Sequence, residues 1–432
     1  MIYRVSEVFV PGGMPKYTYV QRAERDLERR VASAKDFLHK IVTVTGATKS
    51  GKTVLVRKVF PSEESIWLDG GNLADLQDFW DHAAEQCGIV VEVSESTTKT
   101  HGTEVGAEFS AEASILIAKG TGKISPKKSA GRATTTTKRV LHNPKAALLK
   151  TVKDRRIPII IDDFHYINRE VQGKITRILK PLVFEGVPVI YLAIPHRRFD
   201  AVKVEREMNG RVEIVNVPEW SVNELKEIPQ LGFPLLNVKP EIVVSQRLAE
   251  EAQGSPHLMQ EFSKKICIVS NLEQTSPTPL RISSSFPFNQ IFVSVAKDLG
   301  KSIFERLARG PRTRTDRKMR LLKTGETTDI YRVVLIALAE LRPGVSTVEY
   351  EPLRASIRGI LSDALPQAHE VSRVLEQMAK ISSTDESSVP VIDYEKDDRK
   401  LHVTDPFFAF FLRWGRNLIT GQPDAADARP RG

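Results

Sequence analysis

The residues best placed to do chemistry are Gly46-Ala47-Thr48-Lys49-Ser50-Gly51-Lys52-Thr53, followed by Val54. Their spacing is G-x-x-x-x-G-K-[ST], the pattern of a loop that cradles nucleotide phosphates. Gly46 and Gly51 let the backbone turn tightly, so that successive N–H groups aim inward at phosphate oxygens. A helix opening at the end of the loop adds free N–H groups and the positive end of its dipole. Lys52 is expected to reach the β- and γ-phosphates as a catalytic cation, and the Thr53 hydroxyl to ligate a metal. ATP and Mg²⁺ are therefore the expected cofactors, bound along Gly46 to Val54.

A second chemical feature is the pair Asp162-Asp163, which closes the apolar run Ile159-Ile160-Ile161. Asp162 is expected to hold the water shell of the Mg²⁺ that Thr53 touches, and Asp163 to polarise the attacking water as a general base. His165 lies nearby and reads as structural. Two further places stay open. Ile194-Pro195-His196-Arg197-Arg198 is either a γ-phosphate sensor or a surface loop. Arg211 either completes the site of a neighbouring subunit, where it would neutralise transition-state charge, or forms an ordinary ion pair.

These groups need a scaffold. Ile41-Val42-Thr43-Val44-Thr45 predicts a buried strand before the loop, and Val54 to Val59 a helix after it. Ser65–Asp69, Ile157–Asp163, Val187–Ile194 and Arg211–Val217 predict further strands, separated by helices. The strand before Asp162 is not the first one after the loop helix, which marks the additional-strand group of P-loop ATPases. Residues 1–218 form the expected ATPase core. Residues 92–140 interrupt it with a Ser-, Thr-, Gly- and Lys-rich insertion, read as a protruding hairpin or a flexible segment. Charges from Lys119 to Arg156 are almost all positive, which reads as a solvated loop or a nucleic-acid contact.

From Trp220 the chain turns helical. Ser221-Val222-Asn223-Glu224 reads as a capping box, and residues 219–275 as a small helical lid. Residues 276–328 read as a basic connector with one helix, Phe292 to Ala308, and the cations Arg312, Arg314, Arg317, Lys318, Arg320 and Lys323. Residues 329–418 have the order of a winged helix: three helices and a wing hairpin turning at Lys396–Arg399. Mixed charge on its third helix is a poor DNA footprint. The aromatic run from Asp405 to Trp414 reads as a helix packed on that domain. Residues 419–432 read as a disordered tail.

Bulk properties bound the rest. With 432 residues the chain can hold two or three domains. Two cysteines, Cys87 and Cys267, exclude a disulfide framework or a cysteine-based zinc cluster and suit a cytoplasmic protein. Neither a membrane-spanning stretch nor a signal peptide is expected. The net charge of +9 is compatible with nucleic acid but is too diffuse to identify it.

Taken together, these motifs resemble the AAA+/STAND ATPases, near the archaeal-type ATPase and origin-recognition-like branch, over residues 15–270. The resemblance assigns Gly46–Thr53 as Walker A and Ile159–Asp163 as Walker B. It implies that Arg22, in Arg22-Ala23-Glu24, lies near the adenine, and that Arg211, before Ser221-Val222-Asn223-Glu224-Leu225, is an arginine finger. It also implies that Pro256, in Gly254-Ser255-Pro256-His257, is the nucleotide-contacting proline of the lid. Asp163 replaces the usual glutamate, which implies slow turnover. His257 stands where many lids carry a sensor arginine, which favours a switch over a motor.

The expected function is an ATP-binding and ATP-hydrolysing switch that assembles as a homo-oligomer, in prokaryotic signalling or in defence against mobile elements. No effector domain is recognisable, so output would come from a separate effector protein or from assembly. The rival readings are a DNA-binding initiator or transposition-type loader, using the winged helix and the basic stretches, and a non-hydrolysing nucleotide-bound scaffold.

Overall fold

The structure, a computed structural model, describes residues 1–36, 39–93, 113–117, 144–194, 210–311, 317–383, 390–415 and 419. The chain divides into two compact units. A sheet unit comprises Glu28–Val44 and Arg57–Val215; a helical unit comprises Met1–Leu27, Thr45–Val56 and Asn216–Gly432.

A five-stranded sheet comprises β1 (Ile41–Gly46), β2 (Ile66–Asp69), β5 (Ile159–Asp162), β6 (Val189–Ala193) and β7 (Val212–Val217), in the order β2-β5-β6-β1-β7. Strands β2, β5 and β6 run parallel, with Asp69 opposite Asp162 and Ile161 opposite Tyr191. The residues of β1, β5 and β6 are buried almost without interruption, as expected of an α/β sheet covered on both faces. Strand β6 lies between β1 and β5. That insertion separates the loop strand from the aspartate strand. The fold is that of an additional-strand P-loop NTPase.

Helices α1 (Lys52–Val59), α2 (Leu76–Gln86), α3 (Pro144–Arg155) and α4 (Arg169–Phe184) accompany these strands. Helix α4 starts at Asn168, whose side chain accepts the Glu170 N–H at 2.9 Å. It then buries Val171, Ile175, Leu179 and Leu182, spaced by three and four residues. Each such aliphatic side chain contributes about 2 kcal/mol on leaving water. At the start of the 92–140 insertion, β3 (Ile89–Val93) pairs antiparallel with β4 (Ala113–Ile117). The rest of the insertion lies outside the described residues, as does the tail apart from Ile419.

In the helical unit, α5 (Val222–Leu235), α6 (Ile242–Glu251) and α7 (Pro256–Val269) occupy the stretch expected to form a lid. The capping box at Ser221 is present: its hydroxyl accepts from Glu224 N–H, and Glu224 accepts from Ser221 N–H. The 276–328 stretch differs from the basic connector expected. Its helix α8 runs Phe288–Arg309, starting before Phe292, and buries Phe288, Ile291, Phe292, Val295, Ala296, Gly300, Phe304 and Leu307. An apolar stripe of that length needs a partner, and it finds one in α12 (Pro406–Trp414). A Cβ at Gly300 would lie 2.2 Å from Phe411 Cβ, so the two backbones approach closely only because residue 300 is glycine. Two of the connector's cations turn inward. Arg317 pairs with Asp329 and packs over Tyr331 at 4.6 Å, and Arg320, 4 % exposed, bonds both Glu370 oxygens at 3.2 Å.

The C-terminal part has the arrangement of a winged helix. Helices α9 (Ile330–Leu341), α10 (Tyr350–Ile360) and α11 (Ala368–Ser382) accompany a three-stranded antiparallel sheet of β8 (Thr347–Glu349), β10 (Lys400–Val403) and β9 (Ile392–Glu395). The wing turns at Lys396–Arg399 as expected. On α11, Glu370 and Glu376 are taken by Arg320 and Lys396. Phe408, Phe410 and Phe411 of α12 are fully buried, so the aromatic run is core. One continuous apolar cluster runs from Val8 and Phe9 through Phe262 of the lid to Phe292, Leu335 and Phe411. Lid, α8 and winged helix therefore share a single core.

Candidate nucleotide-binding site

The phosphate-binding loop belongs to the helical unit. It turns through left-handed backbone at Lys49 (φ 59°) and Gly51 (φ 90°). Glycine adopts this conformation freely, whereas lysine pays a steric cost there. Gly46 is required for space: a Cβ would lie 2.7 Å from the Val217 carbonyl oxygen. Lys52 opens α1 with its ammonium turned back over the loop, donating to the Gly46 and Ala47 carbonyls, both at 2.9 Å. Thr48 lies on the loop, and Thr53 and Val54 occupy the first turn of α1. Ser50 is 3 % exposed, and its buried hydroxyl has no hydrogen-bond partner among the described residues.

Two side chains from later in the chain bond this loop, and a third stands beside it. The indole N–H of Trp220 donates to the Ser50 carbonyl at 2.8 Å. The Pro256 ring lies 3.9 Å from where a Gly51 Cβ would stand; Ser255 caps α7 immediately before it. Asp405, at the N-terminus of α12, accepts a hydrogen bond from the Lys49 ammonium, which also sits 3.4 Å above the Phe407 ring centre. His257 meets the same Phe407 ring edge-on at 4.8 Å. Burial, and then the nearby Lys49 charge, hold the His257 imidazole down to about 4 against the pull of Asp405. It is therefore neutral at pH 7.

Arg22, which the resemblance sets near the adenine, has its donors engaged by protein. Nε donates to Glu224 Oε1 at 2.8 Å, Nη1 to Pro218 O at 2.9 Å, and Nη2 to Glu219 O at 2.9 Å and Glu224 Oε2 at 3.2 Å. Its plane lies 4.8 Å over the Trp220 ring. Arg22 thus fastens the segment that presents Trp220 to the loop. Sequence reasoning missed Trp220 and Asp405 as partners of the loop. The sole local signal was that each stands at a helix start, Asp405 as the cap of α12 and Trp220 just before the cap of α5.

The strand-end acids belong to the sheet unit. Asp162 closes β5 and accepts the Asp163 N–H at 3.0 Å. Asp163 is left-handed (φ 49°) and starts a short turn carrying His165, which lies against Tyr166 at 4.3 Å. Gly70 fits tightly beneath it: a Cβ there would be 2.3 Å from the Asp163 carbonyl oxygen. Asp69, opposite Asp162 in register, is committed to its own turn, accepting from Gly71 N–H at 2.9 Å and Asn72 Nδ2 at 3.3 Å. Arg211 is exposed and has no ion-pair partner among the described residues. Residues 195–209, with the sensor candidates His196, Arg197 and Arg198, lie outside the described residues.

The residues fit a nucleotide with Mg²⁺. The loop has left-handed turns at Lys49 and Gly51, a buried hydroxyl at Ser50 unpartnered among the described residues, and Lys52 donating to its carbonyls. Thr53, in the first turn of α1, supplies a hard oxygen donor of the kind Mg²⁺ takes.

No family model matches the chain, and no curated protein matches it. Among solved structures it is similar to a Walker-type ATPase of Pyrococcus abyssi, at 12% identity over 91% of this chain and 96% of that one, with a TM-score of 0.49. It is similar also to Cdc6p from Pyrobaculum aerophilum, at 11% identity over 98% and 100% of the two chains (TM-score 0.43). The ORC1 protein of Aeropyrum pernix, solved in complex with DNA, matches at 13% identity over 98% of each chain (TM-score 0.43). These are likenesses of fold. No helix among the described residues is long and apolar enough to cross a membrane.

Proposed function

We propose that the chain is an ATP-binding, slowly hydrolysing switch of the AAA+/STAND type whose assembly depends on nucleotide. The observation that carries this reading is the phosphate-binding loop, bonded at Ser50 by Trp220 and at Lys49 by Asp405, with Pro256 standing beside Gly51. A loop held from the lid and from the winged helix is suited to report its occupancy to both. Lys52 leaves the Gly46 and Ala47 carbonyls to bind β- and γ-phosphate oxygens, and the loop N–H groups bind the remaining ones. Mg²⁺ would neutralise phosphate charge, with Thr53 and Asp162 as its holders. Asp163 takes the proton of the attacking water. Its side chain is shorter than glutamate, which supports slow turnover. Arg211, exposed and without an ion-pair partner among the described residues, acts on a neighbouring subunit's nucleotide. The switch would be a cytoplasmic homo-oligomer acting through a separate effector protein, in signalling or in defence against mobile elements.

The test is light scattering after size exclusion, on wild type and Asp163→Asn, with ADP, with ATP, and with ATP plus a duplex of about forty base pairs. Assembly with ATP alone, trapped by Asp163→Asn, supports the switch. Assembly only with DNA transfers the assignment to an initiator or loader. A monomer throughout, with nucleotide bound, leaves a scaffold. Arg317 and Arg320 turn inward and Glu370 and Glu376 are neutralised within the domain, so the DNA reading rests on fewer free cations than the sequence offers.

A further inference from the structure

The ion pair between Lys49 and Asp405 joins the phosphate-binding loop to the first turn of α12, 356 residues later. Asp405 is 5 % exposed and does two things at once: it caps α12, accepting from Phe407 and Phe408 N–H at 2.8 and 2.9 Å, and it takes the Lys49 ammonium. Around the ammonium stand the Phe407 ring, 3.4 Å to its centre, and the neutral His257 edge-on to that ring. Burial lowers the Lys49 pKa and the Asp405 charge opposes it. The backbone at Lys49 is left-handed, a strained conformation for a lysine that surrounding contacts must maintain.

A desolvated ion pair of this kind adds little net stability over an apolar pair of equal volume. What it does supply is a charge-selective link between two elements. The other loop cation, Lys52, is likewise bound to protein oxygens. A nucleotide polyphosphate entering the loop presents more negative charge than one carboxylate and approaches both ammonium groups. We propose that Asp405 competes with nucleotide phosphate for Lys49, so that nucleotide binding and the seating of α12 against the loop oppose each other. The inference rests on the reading that this loop binds nucleotide. By linkage, whatever affinity the nucleotide loses to the pair, the α12 contact loses to the nucleotide.

The experiment measures ADP and ATP affinity, with Mg²⁺, by calorimetry on the full chain. Asp405→Asn keeps a side-chain oxygen that caps α12 but removes the charge, and Asp405→Ser does the same with a different cap. Both are expected to bind nucleotide about fivefold more tightly than wild type, a coupling of ordinary size. Lys49→Met removes the contested cation, and in that background Asp405→Asn is expected to change nothing. Wild-type or weaker affinity in both Asp405 variants overturns the competition, as does tightening that persists with Lys49→Met. If wild type binds no nucleotide while folded by circular dichroism, the functional reading falls and the competition with it.

Discussion

Trp220 donates its indole N–H to the backbone carbonyl of Ser50 at 2.8 Å, so a side chain 170 residues downstream orients one peptide of the phosphate-binding loop. The same ring lies under the Arg22 guanidinium. Trp220→Phe keeps an aromatic face for Arg22 and deletes the donor. A neutral hydrogen bond is worth about 1 kcal/mol net, so ADP affinity is expected to fall about fivefold in calorimetry, with far-ultraviolet circular dichroism unchanged. Wild-type affinity would mean that this bond does not shape the loop.

Glu224 sets an acid limit on stability. Burial pushes its carboxyl up, but hydrogen bonds from Arg22 and from the Ser221 backbone and hydroxyl, with the Arg22 charge, bring it down to about 2 from 4.5. A carboxyl lowered on folding stabilises the protein above its unfolded value, and that contribution is lost as pH falls from about 4.5 toward 2. Urea midpoints across this window are expected to drop more steeply for wild type than for Glu224→Gln. At neutral pH, Arg22→Met leaves two carbonyls without their donor and Glu224 with only Ser221 and Arg25 beside it among the described residues, and is expected to cost about 2 kcal/mol. Parallel slopes for wild type and Glu224→Gln would sink the argument.

Gly70→Ala tests the turn that carries Asp163. The added methyl would fall 2.3 Å from the Asp163 carbonyl oxygen, which is backbone and must move. Overpacking of this kind costs about 1–3 kcal/mol. Melting temperature should fall accordingly. With Asp163 as general base, ATP turnover should fall by a larger factor than ADP affinity, because the loop proposed to bind ADP is a separate segment. Equal losses in the two would place the effect in binding.

Arg211→Ala separates a role in stability from a role in assembly. With its side chain exposed and no ion pair among the described residues, its removal should change unfolding free energy by less than about 0.5 kcal/mol. If Arg211 acts on a neighbouring subunit, ATP turnover should drop on the order of a thousandfold at protein concentrations where wild type assembles. A turnover that is unaffected, or that is lost equally in dilute monomer, rules out action in trans.

Much of the architecture is legible without coordinates, because its signals are local. The spacing Gly46 to Thr53 predicts a tight turn, found left-handed at Lys49 and Gly51, and the apolar run Ile159-Ile160-Ile161 before Asp162 predicts a buried strand ending in an acid. Ser221 and Glu224 cap α5 because three residues separate them, and Lys396–Arg399 turns because two alternating strands flank it. The 276–328 stretch misled because its composition is basic, while the eight buried residues of α8 follow a helical stripe whose partner lies far down the chain.

Tertiary structure alone decided which charges meet. Lys49 in the sequence is a cation in a glycine-rich loop; packing hands it to Asp405 and Phe407. Arg22 belongs to an Arg-x-Glu motif; packing gives its donors to Glu224 and two carbonyls. Arg317 and Arg320 are two members of a basic run, and packing turns both inward. The reason is that propensity, capping and periodicity act over a few residues, whereas the partner of a long charged side chain is set by which surfaces the folded chain brings together.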